Sequence, residues 1–210
     1  MEVVMFTYHH GQNAEDPRSK RQHILDAAYQ VFSRKGYNRA TVDEIIALAD
    51  TGKGTVYNYF VNKEQLFYTL IQERVRPFET ALDQVAASSQ PPLGKIQTMV
   101  RLFLHFYLEN GDLWRVLIHE VRGFEMGHSV ITPETREKYF DIYRRVAAKL
   151  ETVIAEGVAK GEMREYDVTK AAYALFAAIL TMVYQKFVDE DVDGTADAIT
   201  DIFLHGMVRK

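Results

Sequence analysis

Apolar positions recur every three to four residues along nearly the whole chain, and no segment alternates convincingly with the period of two that a half-buried strand needs. The pattern predicts an all-α protein of about nine helices. The first opens on Asp16 and Pro17 as N-cap and first helical position, carries the stripe Ile24, Ala27, Ala28, Val31 and Phe32, and ends before Gly36. Thr41 and Glu44 form a capping box for a short helix from Val42 to near Ala49, which Asp50, Thr51 and Gly52 interrupt. A second short helix fits Lys53 to Tyr59. Asn62 and Gln65 then start a helix from Lys63 towards Ala87, which Pro77 should kink. Ser88 to Pro92 is the clearest break. Beyond it helices are predicted over 93–110, from an Asp112 cap to about Arg122, from Thr132 and Pro133 to about Lys160, from an Asp167 cap to about Val188, and from Thr195 onward. Residues 123–131 read as an irregular loop, and residues 1–16 as a flexible N-terminal arm.

The stretch from Thr41 to Phe67 packs two short helices, a tight turn and a fresh helix start into one segment, the outline of a DNA-reading module. Its second short helix opens with Lys53, Gly54 and Thr55, a cation, a bare backbone and a hydroxyl at a positive helix end, which suits a phosphate or base edge. Tyr57, Asn58 and Tyr59 follow. Asn58 can pair bidentately with adenine, tyrosine hydroxyls reach phosphates, and Lys63 offers a further phosphate partner. One of the two tyrosines can equally be a half-buried packing residue. Charge divides the chain in the same way: residues 18–76 carry ten Lys and Arg against six Asp and Glu, a net +4, while the remainder carries 15 against 23, a net −8. Arg18, Lys20 and Arg21 gather at the start of the first helix, where cations oppose the helix dipole and an anionic partner such as phosphate would relieve them.

At these residues the segment resembles the DNA-binding domain of the TetR family of bacterial transcriptional regulators. The family pattern, a threonine and then I-A-x-x-A-G-V-S-x-G-T-x-Y-x-Y-F-x-x-K-E-x-L, is matched at Thr41, Ile45, Ala49, Gly54, Thr55, Tyr57, Tyr59, Phe60, Lys63, Glu64 and Leu66. Residues 21–41 also resemble the family's first helix and the G-[YF]-x-x-x-T link after it. Asp50 stands where glycine is usual, Thr51 where valine is usual, and Gly52 where a serine often caps the recognition helix. Asp50 can still take a turn conformation and Thr51 can cap. Ile46 replaces a customary small alanine. The resemblance implies a helix-turn-helix DNA-binding domain over 17–76, with Arg18, Lys20, Arg21, Thr41, Lys53, Gly54, Thr55, Tyr57, Asn58, Tyr59 and Lys63 at the DNA surface, and a ligand-binding and dimerisation domain over 77–210.

Two features of the C-terminal part bear on that expectation. The helix after Asp167 is apolar on nearly all sides, so one face belongs inside and another against a second copy. In the family the last two helices build a four-helix dimer interface, which implies Ala171, Ala174, Leu175, Ala178, Met182, Ile199, Ile202 and Phe203 here, with Met207 beside them. A homodimer would set two reading heads on a palindromic double-stranded operator. The second feature is the aromatic set Phe103, Phe106, Tyr107, Trp114, Phe124, Tyr139, Tyr143, Tyr173 and Phe176. Each alone suits a plain core, but the resemblance implies an effector pocket for a small hydrophobic or aromatic molecule, with His119 or Arg122 as polar partners. The expected function is a ligand-released repressor. The alternative is a TetR-fold DNA-binding protein controlled by a protein partner or architectural on DNA. A preformed cavity would favour the first and a filled core the second.

Other chemistries find little support. With no cysteine, disulfides and thiolate metal sites are impossible. The N-terminal MEVVMFTYHH lacks the layout of a secretory signal, and the longest apolar stretch, Ala171 to Tyr184, falls short of the roughly 18 residues a membrane span needs. A cytoplasmic protein without a membrane partner is expected. His119 and Glu120 begin an H-E-x-x-H zinc motif that Gly123 breaks, and neither a P-loop nor a nucleophile elbow occurs. No metal, no cofactor and no enzyme activity are expected, an all-helical enzyme being the unsupported reading.

Overall fold

The computed structural model describes residues 17–125, 131–188 and 191–206, with the side chains of all but 17–19 and 121–125. Its described elements are nine helices and no strand: α1 (Pro17–Arg39), α2 (Val42–Leu48), α3 (Lys53–Tyr59), α4 (Lys63–Ala87), α5 (Pro92–Glu109), α6 (Gly111–Glu125), α7 (Pro133–Ala159), α8 (Val168–Tyr184) and α9 (Val192–His205). Among the described residues no helix is long and apolar enough to cross a membrane. The expected arm over 1–16, and Asp16 as a cap, lie outside the described residues.

Local chemistry sets the boundaries in the N-terminal part. At Gly36 the backbone leaves the helix for φ 75°, ψ 168°, so α1 bends where the glycine stands and Tyr37 turns inward. The capping box forms as expected: Thr41 Oγ1 accepts from Glu44 N and Glu44 Oε2 accepts from Thr41 N, each at 3.2 Å. After α2, Asp50 takes the left-handed turn conformation (φ 47°) that glycine would take more cheaply. Thr51 does not cap α3. Gly52 occupies that position and offers no side-chain bond, so α3 begins with its first amides uncapped by any side chain. Asn62 caps α4 through Gln65 N at 2.8 Å. Pro77 lies inside α4 and is exposed, so its missing amide falls where the helix faces solvent.

Four boundaries in the C-terminal part differ from expectation. Asp112 lies in the first turn of α6 and does not cap it, because Asn110 closes α5 with its side chain on Phe106 O (2.8 Å) and α6 follows at once. That helix also runs to Glu125, past the expected stop. The next differences come together: α8 ends at Tyr184, short of Val188, and α9 starts at Val192, ahead of Thr195. Lys186 adopts φ 58° after α8, and Asp191 caps α9 through Gly194 N at 2.9 Å. A side chain at Gly194 would meet Asp191 Oδ2 at 2.2 Å, so any other residue there would make the capping carboxylate shift.

The first four helices close around packed rings, Phe67 meeting Phe32 edge-on with centroids 4.8 Å apart and Tyr37 at a tilt at 5.1 Å. In the body α5 is the central post, its Ile96, Met99, Val100, Phe103 and Leu104 fully buried among α4, α7, α8 and α9. Lys95, also buried, ties three helices by donating to Ala86 O and Glu156 Oε2, both at 2.8 Å. Helix α4 belongs to both parts. The seam between them is further closed by α6 against α1, by Asn38 Nδ2 donating to Glu120 Oε1 (3.2 Å), and by Thr132 N and Oγ1 donating to Glu64 Oε1 (2.9 and 2.8 Å).

Candidate nucleic-acid interface and internal cavity

Helix α3 is pinned from below by Val56, with Phe60 buried just after it, which leaves Lys53, Gly54, Tyr57 and Asn58 exposed on its other side. Lys53 Nζ reaches Asp43 at 3.2 Å and lies 6.0 Å from the Tyr57 ring, a loose pair whose side chains are 66 and 76 % exposed. Nothing lies within 4 Å of where a Gly54 Cβ would point, so the fold does not demand glycine there. Thr55 is half-buried. Thr41 is exposed with its hydroxyl committed to the α2 cap. Of the two tyrosines, Tyr57 stands out and Tyr59 packs partly against the core.

Two cations sit differently from the expected free phosphate partners. Lys63 Nζ donates to the carbonyls of Tyr37 (3.0 Å), Ala40 (3.1 Å) and Asn38 (3.5 Å) and lies 4.5 Å from the Tyr37 ring. It thus caps the carbonyl end of α1, and burial holds its pKa below the usual lysine value. Arg21 pairs with Glu73 at 3.1 Å and lies over the Phe60 ring, so it fastens α1 to α4. Lys20 is exposed. The side chain of Arg18 lies outside the described residues.

Between α4, α5, α6, α7 and α8 the body holds a cavity of about 200 Å³ that is partly open to the surface. Six of the expected aromatics line it: Phe106, Tyr107, Trp114, Tyr139, Tyr143 and Phe176. Phe103 stands one layer behind, against Phe78 (5.0 Å) and Phe176 (5.2 Å), and Tyr173 touches the wall only through Tyr143. His119 does not reach it. It lies on the exposed side of α6 beside Glu120, and among the described residues no three His, Asp or Glu side chains gather as a metal site. The side chains of Arg122 and Phe124 lie outside the described residues. The sequence reading missed the aliphatic wall, including Val75, Ile118, Val146 and Leu180, and above all Phe78, which stacks on Phe106 at 4.2 Å and 3°. Val75 and Phe78 flank Pro77 on α4, a spacing that marks one buried face of that helix and could have suggested them.

Tyr139 is shared between cavity and seam. Its ring walls the cavity and packs on Phe67 (6.2 Å) and Tyr68 (5.6 Å). Its hydroxyl is buried without a hydrogen-bond partner among the described residues, and burial, with Tyr37 and Glu64 nearby, pushes its pKa well above the ordinary phenol value.

The expected dimer face divides. Leu175 is fully buried inside the chain and Ile199 nearly so; these two do not lie on an outer face. Ala174 and Ala178 are exposed, Ala171 and Met182 half-exposed in the same stripe, and on α9 Ile202 is 54 % exposed with Phe203 half-buried beside it. Tyr184 and Phe187, at the end of α8, are exposed as well. Met207 lies outside the described residues.

A short helix pair presenting polar side chains, set on a larger helical body with an apolar cavity, defines a helix-turn-helix regulator. Residues 24–69 match the family model of the bacterial regulatory proteins of the tetR family, and residues 89–207 match that of the tetracyclin repressor-like C-terminal domain. The chain belongs to the TetR family of DNA-binding transcriptional regulators. It is 25 % identical over 197 residues to the fatty acid metabolism regulator protein of Bacillus subtilis, covering 92 % of this chain and 98 % of that one. It is 26 % identical over 190 residues to an HTH-type transcriptional repressor of Streptomyces coelicolor, covering 89 and 94 %. Its fold is similar to that of the Bacillus subtilis regulator FadR solved in complex with stearoyl-CoA, with TM-score 0.77 at 23 % identity over 89 % of this chain and 99 % of that one.

Proposed function

We propose that this chain acts in the cytoplasm as a homodimeric repressor on a palindromic operator, released when a small hydrophobic or aromatic molecule fills the body cavity. The observation that carries the proposal is that Val75 and Phe78 of α4 line the cavity while the same helix begins at Lys63 inside the reading head. A ligand that displaces Phe78 moves a helix continuous with the head. Half-site spacing is fixed by DNA geometry, so a small change in head separation opposes docking, and a few kcal/mol of coupling suffices. The preformed cavity favours a small effector over control by a protein partner. Relatives that regulate fatty acid metabolism support an apolar one.

In this reading the DNA surface is Lys53, Gly54, Thr55, Tyr57 and Asn58, with Lys20, Thr41 and Tyr59 at its margins, and 76/77 divides head from body. The second copy packs on the outer stripe of α8 and α9 through Ala171, Ala174, Ala178, Met182, Ile202 and Phe203. Asn58→Ala should relax operator preference at an adenine by roughly 1–3 kcal/mol without changing non-specific binding. To test the mechanism, operator affinity and sedimentation are measured side by side against a panel of acyl chains and flat aromatics. Weakened operator binding by an intact dimer, blunted in Phe106→Trp or Tyr143→Trp, is the expected outcome. Dissociation of the dimer by the compound, or unchanged affinity at saturation, would overturn it.

A further inference from the structure

We propose that the effector is an anionic amphiphile: its apolar part fills the cavity beside Trp114, and its anionic group lies outside between Lys186 and Arg115. This rests on the reading of the cavity as the effector site.

A second depression of about 70 Å³ shares Tyr107, Trp114, Ile118 and Leu180 with the cavity and adds the exposed Arg115 and Lys186. The two spaces therefore have common walls and opposite character. Among the described residues no charged side chain lines the inner one, and two cations and no carboxylate line the outer one. Arg115 is already paired with Asp112 at 3.0 Å, whereas Lys186 has no ion pair or hydrogen bond from its side chain among the described residues. Lys186 also holds a left-handed backbone (φ 58°), a conformation that glycine or asparagine adopts more readily, and it is this turn that ends α8 beside the depression.

Trp114 belongs to both linings, so a molecule that reaches from one space into the other passes its ring. Apolar body and anion then follow in the order cavity, Lys186 with Arg115. A fatty acid or an alkyl phosphate has this order, whereas the same cations oppose a lipophilic cation.

Trp114 is the sole tryptophan of the chain, so its fluorescence reports on this boundary directly. The full-length protein is titrated at 0.15 M salt with decanoate, decyl phosphate, decanol and decyltrimethylammonium, each below its micelle concentration. Both anions should shift Trp114 emission and bind about tenfold more tightly than decanol, with the cation weakest. Lys186→Glu, an exposed change, should remove that advantage and leave decanol binding as it was. Carboxylate and phosphate arms separate the two headgroups, and preference for either supports the proposal. Equal binding of decanol or of the cation, or an anion advantage that survives Lys186→Glu, overturns the anionic assignment while the cavity remains the effector site. No binding of any of the four overturns both.

Discussion

The head and the body of this protein are both bundles of amphipathic helices, yet one is filled and the other is not. In the head, Phe32, Tyr37 and Phe67 pack ring on ring and Lys63 closes the end of α1, so its polar outer face stands on a solid base. In the body the rings of Phe78, Phe106, Tyr107, Tyr143 and Phe176 surround a space none of them fills. A reading surface needs side chains held in register with a duplex, which a close-packed core provides. An effector site needs room, and a void walled by apolar groups exchanges missing dispersion contacts for a ligand's. Tyr139 touches both worlds, walling the cavity while its ring packs on Phe67.

The comparison breaks most sharply at Phe67. Phe67→Ala should cost about 3–5 kcal/mol of stability, because the ring is fully buried against Phe32, Tyr37 and Tyr139 and the head has no slack to collapse into. Urea unfolding read through the head should show the loss, and a cost under 1 kcal/mol would mean the head is not the close-packed part. Next in size is a pair of lysines of opposite duty. Lys63→Ala should destabilise the head by roughly 1–3 kcal/mol, since three carbonyls lose their donor. Lys53→Ala should leave the unfolding midpoint in place while lowering the salt dependence of DNA binding by about one ion. Equal unfolding curves for the two variants would contradict the assignment of Lys63 as an internal cap.

A smaller change of stability is expected for Val146→Phe, because the added ring enters existing space: within about 1.5 kcal/mol of the parent, against the cost of overpacking a filled core. Operator binding should persist and response to any apolar compound should vanish. A large destabilisation there would show the cavity wall to be rigid. The smallest effect concerns the seam. Burial raises the pKa of Glu64, but hydrogen bonds from Thr135 and Thr132 outweigh it and hold the carboxyl below 4.5. A depressed carboxylate contributes stability above the unfolded value that is lost as pH falls through the folded one. Acid should therefore loosen the seam only below about pH 4.5, and Glu64→Gln should flatten that arm of the stability profile. An unaltered arm would locate the acid sensitivity elsewhere.

Local rules written in neighbouring residues were enough for most helix boundaries and for the exposed side of α3. The capping box of Thr41 and Glu44, the Asn62 cap, the break at Gly36 and the turn at Asp50 each depend on a few consecutive side chains, and each is where the sequence places it. The exposed set on α3 was legible for the same reason: a seven-residue helix anchored by Val56 has only one free side. What the sequence could not decide depends on partners far along the chain. Lys63 looks like a phosphate ligand until the carbonyls of residues 37–40 arrive beneath it. Leu175 and Ala174 are equivalent as apolar residues of α8, and only the positions of the helices packed against it, α7 and α5 foremost, make one core and the other surface. Aromatic content foretold six wall residues but not the void, because an empty space is a property of how five helices fail to meet. Hydrophobic periodicity tells each helix which side to bury; how completely the buried sides fill the space between them is settled only when all are packed together.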